Sequence, residues 1–154
     1  MNSPITPQDH AFYAQALEEA EKGLKEGGIP IGSVLVCDNK VLGKGHNRRI
    51  QQGSAILHGE MDAIENAGRL AANIYERCTL YTTLSPCPMC SGTSMLYKIP
   101  RIVIGENKNF MGDEQLLKSK GVEVIVLQDS KTIAMMGSFI KNHPHIWNED
   151  IGIK

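Results

Sequence analysis

Aromatic side chains are scarce in this chain: three Phe, four Tyr and one Trp make up 5% of its 154 residues. Proteins that track single-stranded nucleic acid stack bases on such rings, so that mode of binding is disfavoured. Net charge is equally scarce. Lys and Arg number 16 against 17 Asp and Glu, a balance of −1. That gives no broad positive field to condense on a phosphate backbone, and no nucleic-acid partner is expected. Long apolar runs are missing too. Ile31–Cys37 and Ile102–Ile104 fall far short of the ~20 residues that a bilayer crossing requires, so no membrane segment is expected. Residues 1–20 carry Pro4, Pro7, Asp9, Glu18 and Glu19 rather than a basic start followed by an apolar stretch. No secretory leader is therefore expected, and the cytoplasm is the expected compartment. Linkers, repeats and low-complexity tracts are absent, and residues 1–154 read as one domain. Area scaling at 16.9 kDa gives about 7,700 Å² folded against about 24,500 Å² unfolded, enough burial for one core.

What the chain does contain is regular punctuation by Gly, Pro and polar clusters. Phe12, Ala16, Leu17, Ala20 and Leu24 recur at helical spacing before Gly27-Gly28, which predicts a helix over 8–26. Ile31–Cys37 and Lys40–Gly45 flank Asp38-Asn39 and predict a β-hairpin. Further on, helices are expected over His58–Leu70, Cys87–Tyr97 and Gly112–Lys120, strands over Thr79–Thr83, Arg101–Gly105 and Val122–Leu127, and a last helix from Lys131. Strands separated by helices of about ten residues imply crossovers and a parallel portion of sheet. The expected architecture is an α/β three-layer α/β/α sandwich with a mixed central sheet.

Four cysteines are present: Cys37, Cys78, Cys87 and Cys90. In a reducing compartment, the Cys-x-x-Cys spacing of the last two points to metal or redox chemistry before disulfides. His58-Gly59-Glu60 and Pro86-Cys87-Pro88-Met89-Cys90 each fall where a loop enters a helix. One imidazole and two thiolates suit Zn²⁺ and leave a fourth tetrahedral position open, as a catalytic site requires. Cys87 and Cys90 would lie one helical turn apart at a helix N-terminus, where unpaired N–H groups favour thiolates. As a fourth ligand Glu60 would close the site, so it is assigned the proton shuttle. It would move a proton from metal-activated water to a substrate nitrogen. Taken singly, Cys-x-x-Cys is also a redox pair and His-Gly-Glu also a capped helix start. Together and in this order they resemble the signature of zinc nucleobase deaminases.

The similarity extends beyond those motifs. Gly45-His46-Asn47, His58-Gly59-Glu60, Thr82-Thr83-Leu84-Ser85-Pro86-Cys87, Gly105-Glu106-Asn107 and the segment 147–152 (Trp147, Asn148, Glu149, Asp150, Ile151, Gly152) resemble the fungal-type cytosine deaminases. These belong to the zinc-dependent cytidine/deoxycytidylate deaminase superfamily, and the resemblance covers nearly the whole chain. It implies a homodimer with one zinc per chain that converts the free base cytosine to uracil and ammonia in pyrimidine salvage. By the same resemblance Asn47 and the Gly59 N–H would hold the pyrimidine carbonyl edge, and Asp150 would approach the exocyclic amine. The Ser85 backbone carbonyl would meet the departing amine. Trp147, Phe110 and Ile31 would enclose the flat ring, with residues 144–154 as a tail closing the site. One departure is Pro88, where the fungal enzymes carry an acidic residue. The Pro-Cys-Pro-x-Cys form occurs in guanine and tRNA adenosine deaminases of the wider superfamily.

Other readings stay open at this level. The substrate could be another small amino-heterocycle (isocytosine, guanine or a pterin) or, against the charge balance, a tRNA adenosine. A structural zinc-binding module is the non-enzyme alternative, although no fourth Cys or His has motif spacing. Asn47 by itself reads as a turn residue, and the Ser85 side chain as a local hydrogen bonder where the helix begins. Cys37 and Cys78 read as buried small hydrophobes, His46 as a structural hydrogen bonder, and Glu26 as a solvated helix end. His143 and His145 are expected in an exposed terminal loop. Ile133, Met135, Met136, Phe139 and Ile140 form the apolar face of the last helix or a dimer contact.

Overall fold

The computed structural model describes residues 3–154. Thr6 opens helix α1 (Pro7–Lys25) through a capping box, its hydroxyl accepting from the Asp9 N–H while the Asp9 carboxylate accepts from the Thr6 N–H. Strands β1 (Gly32–Cys37) and β2 (Lys40–His46) form the expected hairpin. Asp38 and Asn39 turn it with φ of 50° and 60°, the left-handed pair of a type I′ turn that matches strand twist. There follow α2 (Arg49–Gln52), α3 (Gly59–Ala67), α4 (Ala72–Tyr75), β3 (Cys78–Leu84), α5 (Pro88–Leu96), β4 (Arg101–Glu106), α6 (Glu114–Ser119), β5 (Glu123–Val126), α7 (Ser130–Asn142) and α8 (Pro144–Asp150). The sheet order is β2-β1-β3-β4-β5, with β1 antiparallel to β2 and β3, and β3, β4 and β5 parallel.

Strand alternation divides the interior in two. Leu35, Leu80, Ile102, Ile104 and Val124 face one way, onto α3, α5 and α6, with Ile64, Met95 and Leu117 against them. Val34, Val36, Tyr81 and Val103 face the other way, onto Tyr13 and Ala16 of α1. The result is the mixed three-layer sandwich. A third cluster of Ile29, Ile31, Leu84, Met136, Phe139 and Trp147 plugs the end of the sheet where β3 stops and β1 begins. Parallel α/β arrangements bind their ligands beyond the carboxyl ends of the strands, and this cluster floors that region.

The differences from expectation are local. The helix expected over His58–Leu70 stops at Ala67, because Gly68 takes φ 84°. Three short helices, α2, α4 and α8, were not anticipated, being too brief to show helical periodicity. His143 and His145 are exposed as expected, yet they flank the start of α8 rather than lying in a loop, since Pro144 sits at a helical first position that suits its fixed φ. Among the described residues no helix is long and apolar enough to cross a membrane.

Candidate active site

Two helix starts meet at this end of the sheet. His58 caps α3 with an extended backbone (φ −62°, ψ 164°), and Cys87 caps α5 likewise (φ −70°, ψ 174°). Pro88 occupies the first turn of α5 without disturbing it, because a first-turn N–H has no intrahelical partner to lose. One turn on, Cys90 is buried. His58 Nδ1 lies 3.4 Å from Cys87 Sγ and 3.7 Å from Cys90 Sγ, and the two sulfurs are 3.6 Å apart. Tetrahedral zinc, with Zn–S near 2.3 Å and Zn–N near 2.0–2.1 Å, has edges of about 3.8 Å between sulfurs and about 3.6 Å between nitrogen and sulfur. The three donors therefore already sit at the corners of one face of a zinc tetrahedron, and their chemistry is that of a zinc site.

Glu60 follows His58 on the first turn of α3, and its side chain is buried in the pocket wall. Burial raises its carboxyl to about 7, against the opposing charge of His58. With the protein groups alone, the hydrogen bond from Cys90, opposed by burial and aided by His58, lowers the Cys87 thiol to about 4. Cys90 is pushed the other way by the neighbouring Cys87 sulfur and by burial. The helix start thus favours one thiolate rather than two. Sulfurs this close do not both ionise unless a cation lies between them. Burial disfavours a charged His58, but Cys87 and Asp150 outweigh it and raise the ring to about 9.

The pocket beside these groups is lined by Ile31, Leu84, Ser85, Phe110, Trp147, Asp150 and Ile151 together with His58, Glu60 and Cys87. Its free volume is about 20 Å³, the room one water takes. Larger hollows, of about 350 Å³ beside Asp9 and Arg101 and about 600 Å³ beside Leu96 and Val122, include none of these donors. Gly59 is required where it stands, because a Cβ there would come 2.9 Å from the Ile31 carbonyl. The same carbonyl accepts from the Asn47 N–H at 2.9 Å. Asn47 itself is fully buried behind the pocket wall and reaches the pocket only through Asp150. Its Oδ1 accepts from the Arg49 N–H at 3.0 Å, and its Nδ2 donates to Asp150 Oδ1 at 3.1 Å.

The Ser85 side chain does not serve α5. Its hydroxyl donates to Glu114 Oε2 at 2.6 Å and accepts from the Gly112 N–H at 2.9 Å, tying down the loop that carries Phe110. Glu106, fully buried, braces the other end of that loop by accepting from the N–H groups of Lys108 and Asn109. Phe110 meets Trp147 edge to face at 5.8 Å. Leu84 and Ile151 were not singled out from the sequence. The usable signal for Ile151 was its spacing of four from Trp147, one turn along a helix that was itself unforeseen.

The remaining polar candidates behave as structural groups. His46 is buried with Nδ1 2.9 Å from Glu19 and Nε2 2.7 Å from Glu26. Glu26 is exposed as expected, yet engaged by His46 rather than merely solvated. Cys37 and Cys78 face each other across β1 and β3, buried, each directing its S–H toward the Ile74 carbonyl.

A mixed sheet with two helix N-termini presenting His, Cys and Cys, and a buried Glu beside them, defines a zinc-dependent deaminase. The chain belongs to the family described as the cytidine and deoxycytidylate deaminase zinc-binding region, whose model matches residues 6–106. It is 59% identical over 149 residues to a cytosine deaminase of Candida albicans, covering 96% of this chain and 99% of that protein. It is 40% identical over 116 residues to a tRNA-specific adenosine deaminase of Streptococcus pyogenes, covering 73% of each. Among solved structures, a tRNA:A34 deaminase studied for A-to-I editing at the wobble position superposes with a TM-score of 0.65 at 27% identity, over 76% of this chain and 97% of that one.

Proposed function

We propose that this chain hydrolyses free cytosine to uracil and ammonia. The observation that carries the reading is that Trp147 and Asp150 of α8, an element outside the family's common region, line the pocket beside His58, Glu60 and Cys87. A tail that leaves so little space favours a small planar base over a nucleotide within a folded RNA. The 59% relative of nearly equal length, a cytosine deaminase, supports the same substrate.

His58, Cys87 and Cys90 would hold the zinc, which when bound would supply the chemistry that makes water nucleophilic near neutral pH. Glu60 would take one proton from the attacking water and give it to ring N3, so that C4 becomes electrophilic. Glu60 then delivers the second proton to the exocyclic nitrogen, which leaves as ammonia. Atoms balance as cytosine plus water giving uracil plus ammonia. Asn47 and the Gly59 N–H hold the carbonyl edge, Asp150 accepts from the exocyclic amine, and the Ser85 carbonyl guides its departure. Asp150 selects substrate over product, since a carboxylate accepts from an amino group but repels the carbonyl oxygen that replaces it. Ile31, Phe110 and Trp147 exclude water from the ring faces.

The same reading makes residues 1–154 one catalytic domain with 144–154 as its closing tail, acting as a homodimer in the cytoplasm in pyrimidine salvage. Four free thiols suit a reducing compartment. The near-neutral charge supports the absence of a nucleic-acid partner. The deciding experiment is ammonia release from cytosine, isocytosine, guanine, a pterin and a tRNA anticodon stem, with chelated protein as control. Turnover of cytosine by the zinc-loaded chain is expected. Preference for any other substrate overturns the assignment, and zinc binding with no release from any of them favours a binding module.

A further inference from the structure

Arg49 lies at the start of α2, between the Asn47 turn and α8, and its side chain is only 12% exposed. Its guanidinium spends its donors on three partners. Nε donates to the Ala55 carbonyl at 3.0 Å. Nη1 and Nη2 grip the Glu149 carboxylate at 2.8 and 2.7 Å. Nη1 also donates to Asp150 Oδ1 at 3.2 Å.

The last contact matters most, because Glu149 is 67% exposed whereas the Asp150 side chain is 1% exposed. Surface pairs contribute little, but a buried carboxylate needs its cation. Asp150 is also the final residue of α8, where the helix dipole opposes negative charge. The partners the structure gives Asp150 all engage one oxygen. Oδ1 receives Asn47 Nδ2 at 3.1 Å and Arg49 Nη1 at 3.2 Å, and lies 3.5 Å from His58 Nε2. Oδ2 is left for a ligand in the pocket that Asp150 lines.

We propose that Arg49 is a positioning residue for the deamination. It fixes the Asp150 carboxylate through Oδ1, so that Oδ2 takes the substrate's exocyclic amine, and it holds α8 down over the pocket. The proposal rests on the reading of this pocket as the base-binding site. With α8 seated there is room for about one water, as the volume of about 20 Å³ requires. A base therefore needs more room than this arrangement leaves, and the Arg49 contacts to Glu149 and Asp150 hold α8 where it is.

The test compares Arg49→Met with Glu149→Gln in the full, zinc-loaded chain. Methionine keeps the apolar stem and loses every donor, whereas the glutamine variant leaves the Arg49–Asp150 pair intact. For Arg49→Met the KM for cytosine should rise about tenfold or more, the scale of one charge-assisted hydrogen bond to a buried group, while the inhibition constant of uracil moves by less than about threefold. Trp147 is the chain's one tryptophan, so acrylamide quenching of its fluorescence reads the tail without any turnover. Quenching should increase about twofold or more in Arg49→Met, and Glu149→Gln should stay within about twofold of wild type in all three measurements. A lowered melting temperature with unchanged KM and quenching would reduce Arg49 to a structural role and overturn the proposal. So would Glu149→Gln reproducing the effects of Arg49→Met. If the wild type fails to deaminate cytosine, the functional reading falls while the quenching contrast still decides whether Arg49 seats the tail.

Discussion

At the scale of single residues, the proposed chemistry turns on Glu60. Its carboxylate is buried in the first turn of α3, beside but not among the three zinc donors. Glu60→Gln keeps the shape and removes the ability to carry a proton, so kcat should fall by about 10²- to 10⁴-fold, the usual contribution of a general acid–base group. Zinc content, read by metal analysis, should be unchanged. A variant that remains fully active would remove Glu60 from the shuttle role. The motif residues were readable because the chemistry restricts residue type and spacing together. Asn47 was ambiguous for the opposite reason. A turn Asn and a ligand-facing Asn look alike in a sequence; here Oδ1 makes the turn by accepting from the Arg49 N–H, and Nδ2 donates to Asp150 of the pocket wall. Arg49 gave no signal at all, since its partner lies 101 positions away.

Elements were legible in proportion to their length. The 19 residues of α1 carried their period plainly, whereas α8, with seven, showed only the Pro that starts it. A contact between α1 and the sheet makes a further prediction. Burial pushes the Asp9 carboxyl up, but hydrogen bonds from Arg101, Tyr81 and the Thr6 N–H, with the Arg101 charge, reverse this and hold it well below the usual carboxylate range. Its partners are close: Tyr81 Oη at 2.6 Å, and Arg101 Nη1 and Nη2 at 2.7 and 3.0 Å. A depressed folded-state pKa contributes stability that is complete above the unfolded value of about 3.9 and lost as pH falls from there through the folded value. Urea unfolding between pH 7 and pH 3 should show this loss. Asp9→Asn should cost about 3 kcal/mol at pH 7, as for one partner removed from a buried pair, and should flatten the pH dependence. Equal slopes in variant and wild type would assign the acid sensitivity to other carboxylates.

For the molecule as a whole, the folded surface is 7789 Å², close to the ~7,700 Å² that size scaling anticipates for one core. The zinc donors come from α3 and α5, on the same side of the sheet, so metal binding clamps two crossover segments at once. At a thousandfold excess over its dissociation constant, zinc should add about 4 kcal/mol to stability, which for a chain of this size raises the melting temperature by about 10 °C. Calorimetry of loaded and chelated protein checks this, and coincident transitions would mean that the two helix starts are held by packing alone. The sequence by itself determined the sandwich, the hairpin and the three metal donors, because alternation, helical period and ligand spacing are local patterns written within a few residues of each other. Only the tertiary structure decided the side-chain pairings around the pocket. It brought Asp150 onto Asn47 and His58, turned the Ser85 hydroxyl to Glu114, and set Arg49 across α8. Those pairings join residues far apart in the chain, and a hydrogen bond between distant side chains leaves no periodic mark on either segment.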